Sequence, residues 1–133
     1  MNYLVDHSIS MCAVNNAGNG AATPTLDSTA EEIEDLFRSN VYGPIYVTQA
    51  VVPHMPPGGR IINTSSVGSK LGLEAMPLYC ATKATLDSLT YIWAAEVRQI
   101  SLSKIYLCHF SGNLKTSIDV KLIHLVSLER NTA

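Results

Sequence analysis

The sequence is poor in charged residues. Asp, Glu, Lys and Arg make up 15% of the 133 residues, whereas an average soluble domain has about 25%. Hydrophobic residues make up 47%, which is ordinary for a globular protein. With so few charged side chains, a large part of the surface has to be formed by uncharged groups. We therefore expect some of its faces to pack against another part of an assembly.

Neither sign of charge is in marked excess, since the formal net charge is −2 and the isoelectric point is about 6.0. Proteins that bind nucleic acid or an acidic membrane surface usually carry a basic patch, so we expect neither partner. No apolar run approaches the about 18 residues that a membrane-spanning helix needs. The first ten residues lack a basic stretch and include Asp6, so we expect no signal peptide.

Cysteine is also scarce, with residues only at Cys12, Cys80 and Cys108. An odd, scattered set favours reduced, mostly buried thiols over a disulfide framework, and it predicts a cytoplasmic protein. The four histidines lie too far apart in the sequence for a local metal-binding motif. The sequence therefore predicts no metal site.

Apolar runs of strand length alternate with helical patterns along the chain. Strands are predicted at 9–14, 60–64 and 104–109, and helices at about 29–52 and 78–97. Each strand is apolar throughout, which is typical of a parallel sheet covered on both faces. The pattern predicts one α/β domain over residues 1–133, built on a doubly wound parallel sheet.

The first predicted helix carries signals for its start and for a kink. Two overlapping capping boxes, at 28–31 and 29–32, could begin it, and the sequence does not choose between them. Gly43 and Pro44 fall inside its apolar pattern and should kink it there. The stretch 65–77, which follows the second strand, is predicted to be a loop.

Two reactive side chains share one face of the second predicted helix. Tyr79 and Lys83 are four residues apart, and this spacing places Cβ atoms about 5–6 Å apart on a helix. A phenol has an ordinary pKa of about 10 and is a poor acid or base at neutral pH, but a neighbouring ammonium stabilises the phenolate. The alternative reading is a lysine whose stem packs along a half-buried tyrosine.

Further polar features are predicted to lie near this pair. Ser66 follows the second strand, and the NNAG stretch (15–18) follows the first, so both belong to the edge where doubly wound sheets bind ligands. Asn40 lies in the middle of the first helix, where asparagine has poor propensity. A serine hydrolase is disfavoured, because TSSVG (64–68) has Thr where a nucleophile elbow has its first Gly.

With these residues in place, the sequence resembles the short-chain dehydrogenase/reductase family from about Cys12 to Thr116, and its wording is most similar to fungal members. The stretch SGNLKT (111–116) looks like the family's PGxxxT segment with Ser111 in place of Pro, and 117–133 forms a divergent tail. The remaining matches are NNAG (15–18), Asn40 in FRSNVYGPI, Ser66 in IINTSSVGSKLG and YCATK (79–83).

The resemblance implies hydride transfer between NAD or NADP and a carbonyl or alcohol substrate. It implies that Tyr79 donates the proton, that Lys83 stabilises the phenolate and holds the nicotinamide ribose, and that Ser66 hydrogen-bonds the substrate oxygen. Asn40 would hold a water that feeds a proton relay to Lys83. The implied cofactor-binding residues are Asn16, Ala17, Gly18, Tyr79, Lys83 and Thr116.

One element of the family is absent from the sequence. The family's cofactor site opens with a Gly-rich turn after its first strand, where the backbone approaches the pyrophosphate. No such turn is found here, and the strand at 9–14 corresponds to the family's fourth. We therefore expect a partial Rossmann-type sheet without the first βαβαβ half, weakened NAD(P) binding and an exposed strand edge.

Two functions follow from this reading. The chain is either an NAD(P)-dependent oxidoreductase or an inactive, truncated fragment that acts as an interaction module. In the second case, the helices at 30–52 and 78–97 would pair with related subunits, because family members commonly use them for assembly. The substrate and the choice between NAD and NADP stay open.

Overall fold

The computed structural model describes residues 11–101 and 104–110. Three strands form one parallel sheet in the order β1-β2-β3: β1 (Cys12–Asn15), β2 (Arg60–Ser66) and β3 (Lys104–Phe110). The helices are α1 (Ala30–Phe37), α2 (Gly43–Val51), α3 (Gly68–Leu71) and α4 (Pro77–Ser101). Short 3₁₀ turns occupy Thr25–Asp27 and Val52–His54.

The strand β2 lies between the other two, with Asn15 opposite Asn63 and Ser66 opposite Phe110. Parallel neighbours require a crossover connection, and each connection here is helical: α1 and α2 join β1 to β2, while α3 and α4 join β2 to β3. The predicted fold class is confirmed, since these elements form part of a Rossmann-type α/β sheet.

The edge strand β1 has a hydrogen-bonded neighbour on only one side within the described ranges. Val14 is 56% exposed on this strand, as expected for the predicted free edge. The expectation of mostly buried thiols is wrong for Cys12, which is exposed because it lies on the same uncovered strand, whereas Cys80 is buried. Positions 9 and 10 of the predicted strand lie outside the described residues.

The buried face of the sheet packs against helices. Ile61 of β2 is fully buried, and Met55 joins it in a small core that also contacts Trp93 of α4. Leu86, which also lies on this helix, is buried as well. Alternate strand residues point to opposite faces, so Ile61 faces the core and Val14, opposite Ile62, faces away from it.

The first helix begins at the second of the two possible capping boxes. Thr29 Oγ1 accepts the Glu32 N–H at 3.2 Å, and Glu32 Oε2 accepts the Thr29 N–H at 3.0 Å. The helix widens into a π turn over Arg38–Tyr42 before α2 begins. The irregularity therefore lies earlier than the predicted kink, and its cause is Pro44: this residue lacks the N–H that would bond the Asn40 carbonyl in a regular α-helix.

The predicted loop at 65–77 contains the four-residue helix α3. It ends at Gly72, which has a φ of 71° and donates its N–H to the Gly68 carbonyl. A positive φ favours glycine, so this position fixes the end of the helix. A helix of one turn has no apolar periodicity to read, and for that reason the sequence did not indicate it.

Candidate active site

The carboxyl ends of β1 and β2 meet the start of α4 at one rim, and Lys83 lies at its centre. This lysine is only 5% exposed, and its Nζ donates a hydrogen bond to the Thr64 carbonyl at 2.8 Å. The same Nζ lies 5.8 Å from the centre of the Tyr79 ring, over its face. The expectation that Tyr79 and Lys83 share one helical face is confirmed.

The electrostatic environment of Lys83 is unusual for a lysine. Burial lowers the pKa of its ammonium, because removing a charge from water disfavours the charged form, and the Asp87 carboxylate opposes this effect. An ammonium has three N–H donors, and the bond to Thr64 is its only hydrogen bond to another described residue. The group can therefore bind further oxygen acceptors at the rim.

Asn40 fixes the loop after β1 to α4. Its side chain is almost completely buried; Oδ1 accepts the Asn19 N–H at 2.8 Å, and Nδ2 donates to the Asn19 carbonyl at 2.8 Å. Nδ2 also donates to Thr82 Oγ1 at 3.0 Å, and this hydroxyl donates to the Tyr79 carbonyl at 2.8 Å. One asparagine thus ties the NNAGN loop to the helix that carries Tyr79.

Two glycines let this loop pass close to the Tyr–Lys pair. A Cβ on Gly18 would lie 3.0 Å from Asn40 Oδ1 and 3.4 Å from Lys83 Nζ. A Cβ on Gly20 would lie 3.3 Å from Met76 Cε and 3.8 Å from Tyr79 Cδ2. The tight distances are those to Asn40 and Met76, which would have to shift to admit a side chain, whereas Lys83 and Tyr79 would be in ordinary van der Waals contact with it.

A buried chain of amides supports the rim from below. Asn15 Nδ2 donates to Asn63 Oδ1 at 2.7 Å, and Asn63 Nδ2 donates to Thr90 Oγ1 at 2.9 Å. The side chain of Asn16 is held by the Thr64 hydroxyl at 3.0 Å. Sequence reasoning missed the roles of Asn63 and Thr90, although an asparagine in the middle of a β-branched strand was a signal.

Ser66 ends β2, two residues after the Thr64 carbonyl that binds Lys83. Its side chain is buried, and its Oγ accepts the Gly68 N–H at 3.1 Å. The structure thus brings Gly18, Asn40, Tyr79 and Lys83 together at one rim and places Ser66 on the adjoining turn. Ala17 is exposed on the loop, and Thr116 lies outside the described residues.

Among the side chains that the structure describes, which are those of residues 11–96, no three His, Cys, Asp or Glu groups lie close enough together to hold a metal ion. None of the helices within 11–101 and 104–110 has both the length and the hydropathy that a bilayer crossing requires.

Comparison with known proteins decides the family. Residues 9–122 match the family model described as short chain dehydrogenase. The chain belongs to the short-chain dehydrogenase family. The resemblance read from the motifs is therefore confirmed, and Tyr79, Lys83, Ser66 and Asn40 all lie within the matched range.

Relatives and solved structures of the family agree with this. The short chain dehydrogenase penD of Penicillium thymicola is 43% identical over 82 residues, which is 58% of this chain and 30% of penD. A short-chain dehydrogenase from Streptomyces avermitilis, 34% identical, superimposes with a TM-score of 0.68 over 78% of this chain and 40% of its own. The chain spans about a third of the length of the curated relatives that it matches.

A short-chain dehydrogenase/reductase from Burkholderia phymatum, solved in complex with NAD, is 28% identical. It superimposes with a TM-score of 0.71 and covers 74% of this chain and 37% of its own. The sequence analysis expected similarity to fungal members of the family and a Rossmann-type architecture. The fungal relatives support the first expectation and the superimposed structures support the second.

Proposed function

We propose that the chain carries the nicotinamide end of an active site that interconverts a carbonyl and an alcohol with NAD or NADP. The observation that supports this best is the buried Lys83 ammonium, held by the Thr64 carbonyl over the Tyr79 ring. Burying an ammonium without a carboxylate in contact is unfavourable for folding. A lysine kept in such a place is therefore better explained by chemistry at the rim than by stability.

The residues at the rim suit the ribose next to a nicotinamide. Gly18 keeps a side chain away from the Lys83 ammonium, which a Cβ would approach to 3.4 Å, and Lys83 offers N–H donors to hydroxyl oxygens at the rim. When bound, the cofactor would supply or accept the hydride. Asn16, Ala17 and Thr116 complete the proposed contacts. The proposal covers both cofactors, because the acidic or basic residue that selects between them belongs to the first half of the dinucleotide fold.

The chain's own side chains provide the proton chemistry. In the direction of reduction, the Tyr79 hydroxyl gives its proton to the substrate oxygen, and the Lys83 ammonium stabilises the phenolate that is left. The Ser66 hydroxyl hydrogen-bonds the same oxygen and polarises the carbonyl. The side-chain amide of Asn40 is occupied by Asn19 and Thr82, so its role in a water relay to Lys83 would fall to its backbone carbonyl. Pro44 deprives that carbonyl of its α-helical partner.

A second candidate function is favoured by the surface of α2 and α4. Tyr46 is 64% and Ile92 is 56% exposed, and Val47 and Tyr91 are exposed beside them in the sequence. Exposed aromatic and branched side chains are typical of surfaces that pack against a partner. The chain could therefore be an inactive member that pairs with related subunits through 30–52 and 78–97. A cytoplasmic location stays a prediction from the reduced thiols.

Nucleotide binding separates the two functions. The chain would be titrated with NADPH and with NADH while nucleotide fluorescence is followed, in the wild type and in the double variant Tyr79→Phe, Lys83→Ala. The matched control is Tyr91→Phe, an exposed tyrosine on the same helix. We expect saturable binding that the double variant loses and the control keeps. A folded wild-type sample with no saturation at millimolar nucleotide would contradict the enzyme proposal and leave the interaction module.

A further inference from the structure

A carboxylate that has no part in the proposed proton transfer is buried next to the rim. Asp87 lies on α4 and is 2% exposed, and its Oδ2 is 2.7 Å from Ser69 Oγ and 2.9 Å from Lys70 Nζ. Both partners belong to α3, which begins two residues after Ser66. A hydrogen-bonded ion pair with one buried member is more sensitive to the loss of a partner than a surface pair.

The hydroxyl of Ser69 links this carboxylate to Ser66. Ser69 Oγ is 2.7 Å from the Ser66 carbonyl and 2.7 Å from Asp87 Oδ2. A hydroxyl has a single proton and a carbonyl oxygen can only accept, so this one proton lies between two acceptors. The Lys70 ammonium contacts the same carboxylate oxygen and stabilises the charged form of Asp87, which can only accept a hydrogen bond. The Ser69 side chain is therefore confined between α4 and the end of β2.

This confinement matters because α3 cannot hold its own shape. A helix of four residues is far below the length at which helical hydrogen bonds sustain themselves. The turn also carries the Gly68 N–H that binds Ser66 Oγ at 3.1 Å, so any movement of α3 moves the donor that orients the Ser66 hydroxyl. Something outside the turn must fix it, and Asp87 is the buried charged group that contacts it.

Asp87 also lies one helical turn beyond Lys83 on α4. Its negative charge raises the pKa of the Lys83 ammonium and so opposes the larger effect of burial. The same carboxylate therefore acts on both sides of the rim, on the Ser66 turn by hydrogen bonds and on Lys83 through space.

We propose that Asp87 is a positioning residue, which fixes the turn that carries Ser66 against the helix that carries Tyr79 and Lys83, acting through Ser69 and Lys70. What the rim does rests on the proposed function. The positioning itself is a property of the folded chain and can be measured without nucleotide.

The direct test is amide hydrogen exchange at Gly68, followed by NMR in Ser69→Ala, Ser69→Thr and Asp87→Asn. The matched control is Asp35→Asn, an exposed carboxylate that pairs with Arg38 at 3.6 Å. We expect Gly68 to exchange about tenfold faster in Ser69→Ala and Asp87→Asn, and to stay near the wild-type rate in Ser69→Thr and the control. Unchanged exchange at Gly68 in Ser69→Ala, which keeps the core intact, would overturn the inference.

A general loss of stability is distinguished by a second amide. Ile61 is fully buried in β2 and reports opening of the whole fold. Equal acceleration at Ile61 and Gly68 would mean that the variants merely unfold more often, and the positioning role would be wrong. We expect Ile61 to exchange at its wild-type rate in Ser69→Ala.

A third readout is the titration of Lys83, followed by ¹³C NMR at its Cε. Asp87→Asn removes the charge that raises this pKa, so the pKa of Lys83 should fall further, whereas Ser69→Ala should leave it unchanged. An unchanged pKa of Lys83 in Asp87→Asn would contradict the through-space effect of the carboxylate on Lys83, whereas its hold on α3 is tested by the exchange at Gly68. A wild type that fails to bind nucleotide would end the proposed function alone, and an unresponsive Gly68 would end this inference alone.

Discussion

The rim at the strand ends and the outer surfaces of α2 and α4 show the reverse of the usual distribution of polarity. The rim buries polar side chains, while the outer surfaces expose aromatic and branched ones. The buried polar side chains at or beneath the rim are Asn15, Asn40, Asn63, Ser65, Ser66, Thr82, Lys83, Asp87 and Thr90, whereas Thr48 is buried apart from them on α2. The exposed apolar set on the two helices is Tyr46, Val47, Tyr91 and Ile92.

The difference shows what each region contributes. A buried polar group stabilises a fold only when it is paired, and the rim groups are joined in chains such as Asn15–Asn63–Thr90 and Asn19–Asn40–Thr82. These chains fix the positions of a loop, a strand end and a helix with respect to each other. Among the side chains that the structure describes, those on the outer surfaces form no such network, and their apolar groups suit a partner that covers them. Four predictions test this contrast.

The largest effect is expected for Asn40→Ala. The change leaves both backbone groups of Asn19 and the Thr82 hydroxyl without their buried partner, so the free energy of unfolding should fall by about 3 kcal/mol. Urea unfolding followed by circular dichroism measures it. Asn16→Ala is the control, because Asn16 is exposed and makes one side-chain bond, and it should change stability by less than about 1 kcal/mol. Equal losses of stability in the two variants would contradict the claim that the buried rim network contributes more to stability than an exposed hydrogen bond.

Lys83→Met separates stability from binding. Nucleotide binding should weaken more than about tenfold, because charge-assisted bonds to the ribose are lost. Stability should respond to pH with a defined sign. Burial lowers the pKa of Lys83 in the folded chain below the ordinary 10.5, which applies to the unfolded chain. At a pH between the folded and the unfolded pKa, the unfolded chain therefore binds more protons than the folded chain.

The free energy of unfolding of the wild type should therefore rise relative to that of Lys83→Met as the pH increases through this alkaline range. Parallel urea curves at several pH values measure the difference. A difference that falls with pH would mean that Lys83 gains more from its neighbours than it loses by burial.

Thr48→Val should stabilise the fold by about 1 kcal/mol. Thr48 lies in a groove of about 260 Å³ between α2 and α4, with Trp93 on the opposite wall, and its buried hydroxyl has no hydrogen-bond partner in the described part of the chain. Valine keeps the shape and removes the unpaired group. Thr90→Val is the matched control, since that hydroxyl binds Asn63 and the Leu86 carbonyl, and the same change there should destabilise. Thermal unfolding of both variants gives the comparison.

The smallest change in stability is expected on the outer surfaces. Tyr46→Lys and Ile92→Lys should each alter the free energy of unfolding by less than about 0.5 kcal/mol, because both side chains are exposed. The same pair should lower the apparent mass in light scattering if these surfaces join copies of the chain. An unchanged mass for wild type and variant at every concentration would exclude self-assembly through them.

Much of this arrangement could be predicted from local patterns. The spacing of Tyr79 and Lys83 placed both on one helical face, and the apolar runs located the three strands. Contacts between distant residues could not be predicted in this way, because nothing local pairs Asp87 with Lys70 or Asn15 with Asn63. The kink predicted at Gly43 and Pro44 was misplaced for a different reason. A proline affects the carbonyl four residues before it, so the irregularity lies upstream of Pro44 as a π turn that includes Asn40.

The most direct test of the contrast is an NMR titration of the ¹⁵N-labelled chain with NADH. If the rim is the nicotinamide site, the amide shifts should move in a saturable way at Gly18, Asn19 and Thr64, and those of Tyr46 and Ile92 should stay in place. Shifts confined to Tyr46 and Ile92, or no shift at all in a folded sample, would contradict the account and leave the buried polar rim without its proposed ligand.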